Sequence, residues 1–420
     1  MSFTEAELEM IGRMAREAAL ELAVLSSTRK NAILHAIADG IEEFAPQILA
    51  ENAKDLANAE AAGLSDAMID RLRLDQSRIS KMAIGIREVA MLPDPVGEVL
   101  AEWERPNGLR LQKVRTPIGV IAIIYESRPN VTSDASVLCL KSGNAVILRG
   151  GSEAFHSNCA IVVAMQKAGK RAGLPAGAIQ ALPTTDREAV SVLCKAERYV
   201  DLIIPRGGKQ LIERVVSEAR MPVIKHYEGI CHVYVDKAAD LEMAIRIVVN
   251  AKCQRPGVCN AMETLLVHKE IAAEFLPRCA EELQSRGVEL RCCPESLPLC
   301  GPKAIPATEA DWSTEYLALI LSVRVVPSLE EAINHINRYG SKHTDSIVTA
   351  DEKAAEVFLA RVDSATVLWN ASTRFSDGGE FGFGAEIGIS TDKIHARGPM
   401  ALPELTSYKY LVRGNGQIRT

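Results

Sequence analysis

The chain has 420 residues, 47% of them hydrophobic and 24% charged, with a formal net charge of −6 at pH 7. That length exceeds one compact core and predicts two or three domains. The acidic balance excludes a general affinity for nucleic acid or an anionic membrane surface, while leaving room for a local basic pocket.

The chain opens MSFTEAELEMIGRMAREAALELAVL, with acids set among apolar residues at helical spacing. A secretory signal needs a basic start and an unbroken apolar run, so none is expected. Apolar stretches such as Gly119 to Tyr125 are far too short to span a bilayer. The ten cysteines are scattered, which predicts reduced thiols in a cytoplasmic protein. From Thr4 to about Ala90 the pattern is helical, and Leu92-Pro93-Asp94-Pro95 ends it. Two strand-like runs between Val96 and Val120 flank Pro106-Asn107-Gly108, a hairpin turn signal because Asn-Gly accepts positive φ.

From Ile118 to Asp236, short apolar runs alternate with helical patterns: VIAIIY, AVILR, AIQAL, LII, VIK and HVYVD. Such runs predict a parallel sheet covered on both faces, with ligands at the carboxyl ends of its strands. No GxGxxG follows any of them, so the usual dinucleotide fingerprint is missing. A second α/β unit follows, with strands TLLVH and VRVV. The segment Ala371 to Pro399 is rich in Gly, Ser, Thr and charge, and long ordered loops of this kind are usually functional. The tail SYKYLVRGNGQIRT predicts one more strand.

Cys259 stands in Gln254-Arg255-Pro256-Gly257-Val258-Cys259-Asn260, where Pro-Gly forces a turn just before the thiol. A nucleophilic cysteine needs that access. The competing reading is a small buried hydrophobe. Cys253, inside an apparent helix from Leu241 to Lys252, is the nearest rival and is expected to pack. His226, Cys231 and His232 come closest to a histidine-cysteine cluster, but no metal is expected there.

Four segments carry a resemblance. NAKCQRPGVCNAMETLLVH, PIGVIAIIYESRPNVTSDASVLCLKSGNAVILRGGSEAFHSN, TEYLALILSVRVV and NASTRFSDGGEFGFGAEIGISTDKIHARGPM resemble, in order, the gamma-glutamyl phosphate reductases of the aldehyde dehydrogenase superfamily. The resemblance implies an aldehyde-dehydrogenase-like α/β fold with two α/β domains. Residues 1–95 and 117–236 are expected to form a cofactor-binding domain, 237–399 a catalytic domain, and 96–116 with 400–420 a hairpin-and-tail element for oligomers. It implies NADPH as cofactor and L-glutamate 5-phosphate as substrate, attacked by the Cys259 thiolate to give a thioester that hydride reduces to the semialdehyde. It also leaves open a homo-oligomer and a contact with the glutamate 5-kinase that makes the acyl phosphate. Rivals are another oxidoreductase of the superfamily and a non-catalytic binding or scaffold protein of the same fold.

Residue by residue, Asn130 matches the superfamily's oxyanion donor, against an alternative role as N-cap of a helix from Val131. Lys141 and the run Arg149, Gly150, Gly151, Ser152 and Glu153 flank AVILR as the superfamily's cofactor segments do. Gly207 and Gly208 precede a helix whose N–H groups suit a pyrophosphate, and Glu315 matches the glutamate that holds the nicotinamide ribose. Arg128, Arg255, Ser372, Thr373 and Arg374 are the candidates for binding substrate phosphate and carboxylate. The superfamily's water-activating glutamate does not align cleanly with His226-Tyr227-Glu228-Gly229. That departure favours acyl reduction, because water attack would destroy the thioester.

Overall fold

In the computed structural model the described residues are 3–126 and 128–419; Met1, Ser2, Ser127 and Thr420, which fall within segments discussed above, lie outside them. The amino-terminal helical pattern becomes α1 (Glu5–Leu22), α2 (Ser27–Glu43), α3 (Ala45–Ala61), α4 (Asp66–Leu72) and α5 (Gln76–Met91). Local chemistry starts three of them. Thr4 and Glu7 make a capping box on α1, Ser26 caps α2, and Asp75 caps α5, each filling an otherwise unpaired N–H. The hairpin forms from β1 (Val99–Glu104) and β2 (Arg110–Pro117). At its turn Gly108 takes φ +81°, and its N–H donates to the Arg105 carbonyl at 2.8 Å.

A βα alternation follows: β3 (Val120–Tyr125), α6 (Asn130–Lys141), β4 (Ala145–Arg149), α7 (Phe155–Arg171), β5 (Ile179–Ala181), α8 (Glu188–Cys194), β6 (Leu202–Arg206) and α9 (Lys209–Glu218). The four strands are parallel in the order β5-β4-β3-β6. Every residue of β3 and β4 is buried, as their unbroken apolar runs require. The chain leaves β3 towards β4 and β5, then crosses back to β6. The switch point therefore lies between β3 and β6, where the loops after their carboxyl ends diverge.

The second alternation comprises β7 (Cys231–Val235), α10 (Leu241–Cys253), β8 (Met262–His268), α11 (Lys269–Ser285), β9 (Glu289–Cys292), β10 (Ile305–Pro306), β11 (Ile320–Val326), α12 (Leu329–Tyr339), β12 (Thr344–Val348), α13 (Glu352–Arg361) and β13 (Thr366–Trp369). Its seven strands are parallel in the order β10-β9-β11-β8-β7-β12-β13. One core contains Val233, Leu265, Phe275 and Val323, and a second contains Tyr234, Leu266, Ile347 and Phe358. The neighbours Val233 and Tyr234 of β7 enter different cores, as do Leu265 and Leu266 of β8, because successive strand residues face opposite sides. The chain closes through β14 (Gly388–Ser390), β15 (Gly398–Met400) and β16 (Thr406–Arg413), the last pairing antiparallel with β2.

By contacts the chain divides into two units, Met1–Lys225 with Phe383–Gly388 and Met400–Thr420, and His226–Gly382 with Ile389–Pro399. Two expectations are corrected. HVYVD, assigned to the cofactor domain, is β7 and lies inside the second sheet, hydrogen-bonded to β8 and β12. VIK is not a strand of its own; Val223 makes a single bridge to Ile203. An apolar run announces a strand but not which sheet accepts it, because its ladder partners are distant in sequence. Among the described residues, no helix is long and apolar enough to cross a membrane.

Candidate active site

In the second unit, α10 ends at Cys253 and Pro256-Gly257 turns the chain towards β8. Cys259 sits in this loop, partly exposed. Its carbonyl accepts the Cys231 thiol at 3.2 Å. Burial holds that thiol well above its usual range, so it remains a donor. Gly229 packs directly on the Cys259 backbone, where an added Cβ would lie 1.9 Å from the Cys259 oxygen. Only glycine fits there, which accounts for Gly229 in the sequence Glu228-Gly229.

His226, Cys259 and His343 come together, one donor atom from each lying within 4.8 Å of the other two. His226 Nδ1 pairs with the Ile389 carbonyl at 3.0 Å, and the two imidazoles meet edge to face at 5.6 Å. Burial lowers His343 to about 3, so it is neutral near pH 7. This cluster differs from the one weighed from sequence. His232 turns away to a buried contact with Asp345 at 2.7 Å, and residues 226, 259 and 343 are too far apart in the chain to be seen together. The group gathers at the amino ends of strands, since Gly229, Cys259 and His343 precede β7, β8 and β12. Parallel sheets more often bind ligands at the opposite end.

Two arginines share this neighbourhood. Burial lowers Arg374, Arg255 adds to the lowering, and the Cys259 charge opposes both, so all three groups interact. Arg374 Nε donates to Gln254 Oε1 at 2.9 Å, while Asn260 Nδ2 donates to the Ser376 carbonyl at 3.0 Å and ties the segment to the nucleophile loop. Ser372 and Thr373 are both buried. Ser372 Oγ caps a 3-10 turn by accepting the Arg374 N–H, and Thr373 is fully buried.

Glu315 lies in the loop before β11, and its Oε1 accepts the Gly229 N–H at 2.8 Å. Burial raises its carboxyl, the Gly229 bond opposes this, and the Glu228 charge adds to the rise. Asp311 braces the same loop. It accepts from Arg291, from the Thr308 N–H and hydroxyl, and from the Tyr316 hydroxyl, each at 2.7 Å. Burial works to raise Asp311, but Arg291, Thr308 and Tyr316 outweigh it and hold the carboxyl well below the usual 3.8. A depressed carboxyl contributes stability above its unfolded value that is lost as pH falls through its folded value. Asp311→Asn is therefore expected to cost about 1–3 kcal/mol at pH 7 and to flatten the acid limb of stability below pH 4. Urea unfolding between pH 5 and 3 checks this, and equal slopes for both proteins would refute it.

In the first unit the loops after β4 and β6 hold most of the residues expected to bind cofactor. Arg149 ends β4, donating to the carbonyls of Gly150, Thr185 and Asp186 at 2.9, 3.3 and 3.2 Å. Its buried Nε has no partner. An added Cβ at Gly150 would press on the Asn158 amide and one at Gly151 on the Glu153 carboxylate, so either would make that side chain move, and Ser152 and Glu153 open the next 3-10 turn. Gly207 and Gly208 lie between β6 and α9, but Glu126 Oε2 already accepts the Gly208 N–H at 3.0 Å. That contact spans the β3–β6 switch point, and nothing in the local sequence marks Glu126. Lys141 does not belong with these groups. It is fully buried at the far end of α6, where its Nζ donates to Asn31 Oδ1 at 2.6 Å and the Ala90 carbonyl at 2.9 Å. Asn130 is the first residue of α6 rather than its cap, a position held by Pro129. Its amide donates to Asp134 Oδ2 at 2.9 Å, and Arg128 is exposed just before the helix.

The sequence model of the aldehyde dehydrogenase family matches residues 1–291. A gamma-glutamyl phosphate reductase from Moorella thermoacetica is 58% identical over 413 residues, 98% of this chain and 99% of its own. The chain belongs to that reductase family within the aldehyde dehydrogenases. The corresponding protein of Geobacter metallireducens is 55% identical over 98% of this chain and 99% of its own. The crystal structure of gamma-glutamyl phosphate reductase from Thermotoga maritima superposes with a TM-score of 0.97 at 47% identity, covering 99% of this chain and 100% of that one. An acetylating aldehyde dehydrogenase from Geobacillus thermoglucosidasius, at 19% identity and a TM-score of 0.68, shares the fold. This member of the family is therefore an oxidoreductase with an aldehyde-dehydrogenase-like α/β fold.

Proposed function

We propose that this chain reduces L-glutamate 5-phosphate to L-glutamate 5-semialdehyde and phosphate with NADPH, in proline biosynthesis in the cytoplasm. The observation that carries the reading is near-complete coverage at 58% identity by a reductase of that name. The loop geometry of Cys259 between Gly229, Arg255 and Arg374 supports it.

In this reading the Cys259 sulfur attacks the acyl carbon. A carbon–sulfur bond forms and the carbon–oxygen bond to phosphate breaks, with the electron pair leaving on phosphate. Arg255 and Arg374 lower the cost of a second anion beside the thiolate and fit phosphate or carboxylate by their forked geometry. Arg128 is a further candidate for the same anions. The Cys259 N–H is one donor for the tetrahedral oxyanion, and the family resemblance gives a second donor role to the Asn130 amide. A reduced nicotinamide, when bound, would supply the hydride for reduction of the thioester to a thiohemiacetal. Collapse of that species returns the electron pair to sulfur and frees the aldehyde.

The residues suited to the cofactor are Arg149, Gly150, Gly151, Ser152, Glu153, Gly207 and Glu315. The orphaned buried Nε of Arg149 and the open space over Gly208 fit a phosphorylated ligand at these strand ends. Where Glu126 meets the Gly208 N–H, a pyrophosphate has to displace a carboxylate. The hairpin-and-tail sheet exposes Trp103, Tyr408, Tyr410 and Val412, which supports a role in a homo-oligomer.

The reverse reaction tests the function. With pyrroline carboxylate, NADP⁺ and phosphate, the chain is expected to form NADPH only when phosphate is present. NADPH formation at equal rate without phosphate would replace this reading with hydrolytic aldehyde oxidation.

A further inference from the structure

Among the described residues, one group of three or more His, Cys, Asp or Glu side chains is close enough to hold a metal ion, and it includes the candidate nucleophile. We propose that His226, Cys259 and His343 form a binding site for a thiophilic divalent cation, Zn²⁺ in particular, through which the metal reversibly inhibits the enzyme.

Three observations carry this. The donor atoms lie within 4.8 Å of one another. A tetrahedral zinc with ligands at about 2.0–2.3 Å needs them roughly 3.3–3.8 Å apart, so closure takes side-chain shifts of about 1 Å. The donor chemistry suits zinc, with two imidazoles and one thiolate and a fourth position left for water. The hydrogen bonding of the rings suits it as well. The Ile389 carbonyl can only accept, so His226 Nδ1 carries the proton and its Nε2 keeps the lone pair. A second-row hydrogen bond of this kind commonly orients a metal-binding imidazole. His343 engages Thr344 Oγ1 through Nδ1 at 2.8 Å, while its Nε2, in a residue with no exposed surface, has no hydrogen-bond partner. A buried ring nitrogen with no partner is costly to maintain, and a metal would satisfy it.

Binding exchanges the Cys259 thiol proton for the cation. The sulfur–hydrogen bond is lost, a sulfur–zinc bond forms and the proton passes to solvent, with no change of oxidation state. The sulfur pair that would attack the acyl carbon is then committed to zinc. The inhibitory half of the inference rests on Cys259 as nucleophile; the binding half does not.

Purified, EDTA-stripped protein is titrated with Zn²⁺ against a chromophoric chelator, and Cys259 alkylation by iodoacetamide is followed by peptide mass spectrometry. One Zn²⁺ per chain is expected to bind and to slow Cys259 alkylation at least about 10-fold, with Cys253 unaffected. EDTA restores the rate, and Mg²⁺ has no effect. His226→Gln and His343→Gln, each checked for folding by circular dichroism, are expected to weaken Zn²⁺ binding by about 10-fold or more. Zn²⁺ that leaves Cys259 alkylation unchanged in the wild type would overturn the site, as would unchanged affinity in both folded variants. Zn²⁺ that binds and protects Cys259 without slowing phosphate-dependent turnover would keep the site and refute Cys259 as the nucleophile. Turnover that needs Cys259 but is indifferent to Zn²⁺ would do the reverse.

Discussion

Cys259→Ala is expected to lower kcat/KM for phosphate-dependent NADP⁺ reduction by about 10⁴-fold or more, the scale seen when a covalent nucleophile is removed. The magnitude follows from the absence of a substitute. Of the ten cysteines only Cys159, Cys253 and Cys259 are not buried, and burial raises the thiols of Cys159 and Cys253. Cys253 ends α10 and packs against the core of the second unit. Cys231 is closer but remains a buried donor to the Cys259 carbonyl. Cys259→Ser keeps the shape with a far weaker nucleophile and should fall almost as far. Steady-state kinetics of both variants check this. More than a tenth of wild-type activity in Cys259→Ala would remove Cys259 from the mechanism.

The largest effect on stability is expected at Lys252 and Glu263, a fully buried ion pair with nitrogen and oxygen 2.5 Å apart. Glu263 sits on β8, and its other oxygen accepts the Leu317 N–H at 3.2 Å. Leu317 adopts φ +52° next to Glu315, so the pair also fixes the loop that carries Glu315. Removing one partner leaves the other charge buried and alone. Lys252→Met or Glu263→Leu should each cost about 3–5 kcal/mol, whereas the double change should recover much of that loss. Urea unfolding checks the three variants, and additive losses in the double variant would show that the residues act separately.

The same pair carries a pH dependence. Burial pushes Glu263 up to about 7 against the pull of Lys252. A carboxyl raised above its ordinary 4.5 takes up a proton on folding, so its contribution is complete below 4.5 and is lost as pH rises through about 7. Burial likewise lowers Lys252, which disfavours its charge in the folded protein. Glu263→Gln should remove the carboxyl's share of the slope between pH 5 and 7.

The sequence by itself determined whatever depends on neighbours along the chain. Thr4, Ser26 and Asp75 start helices through their own side chains, Asn107-Gly108 turns the hairpin, and the unbroken apolar runs of β3 and β4 imply burial on both faces. Pro256-Gly257 predicts that Cys259 is presented by a loop, and the four long segments are distinctive enough to place the chain in its family. Tertiary structure alone decided which distant residues meet. It put β7 in the second sheet, buried Lys141 against Asn31 and Ala90, and turned Ser372 and Thr373 inward. It set Glu126 on Gly208 and Glu315 on Gly229, and gathered His226 and His343 around Cys259. The physical reason is that propensities, caps and turns act over a few residues, whereas parallel ladders and strand-end loops join segments from tens to more than a hundred residues apart. For those, the sequence holds each partner but not the pairing.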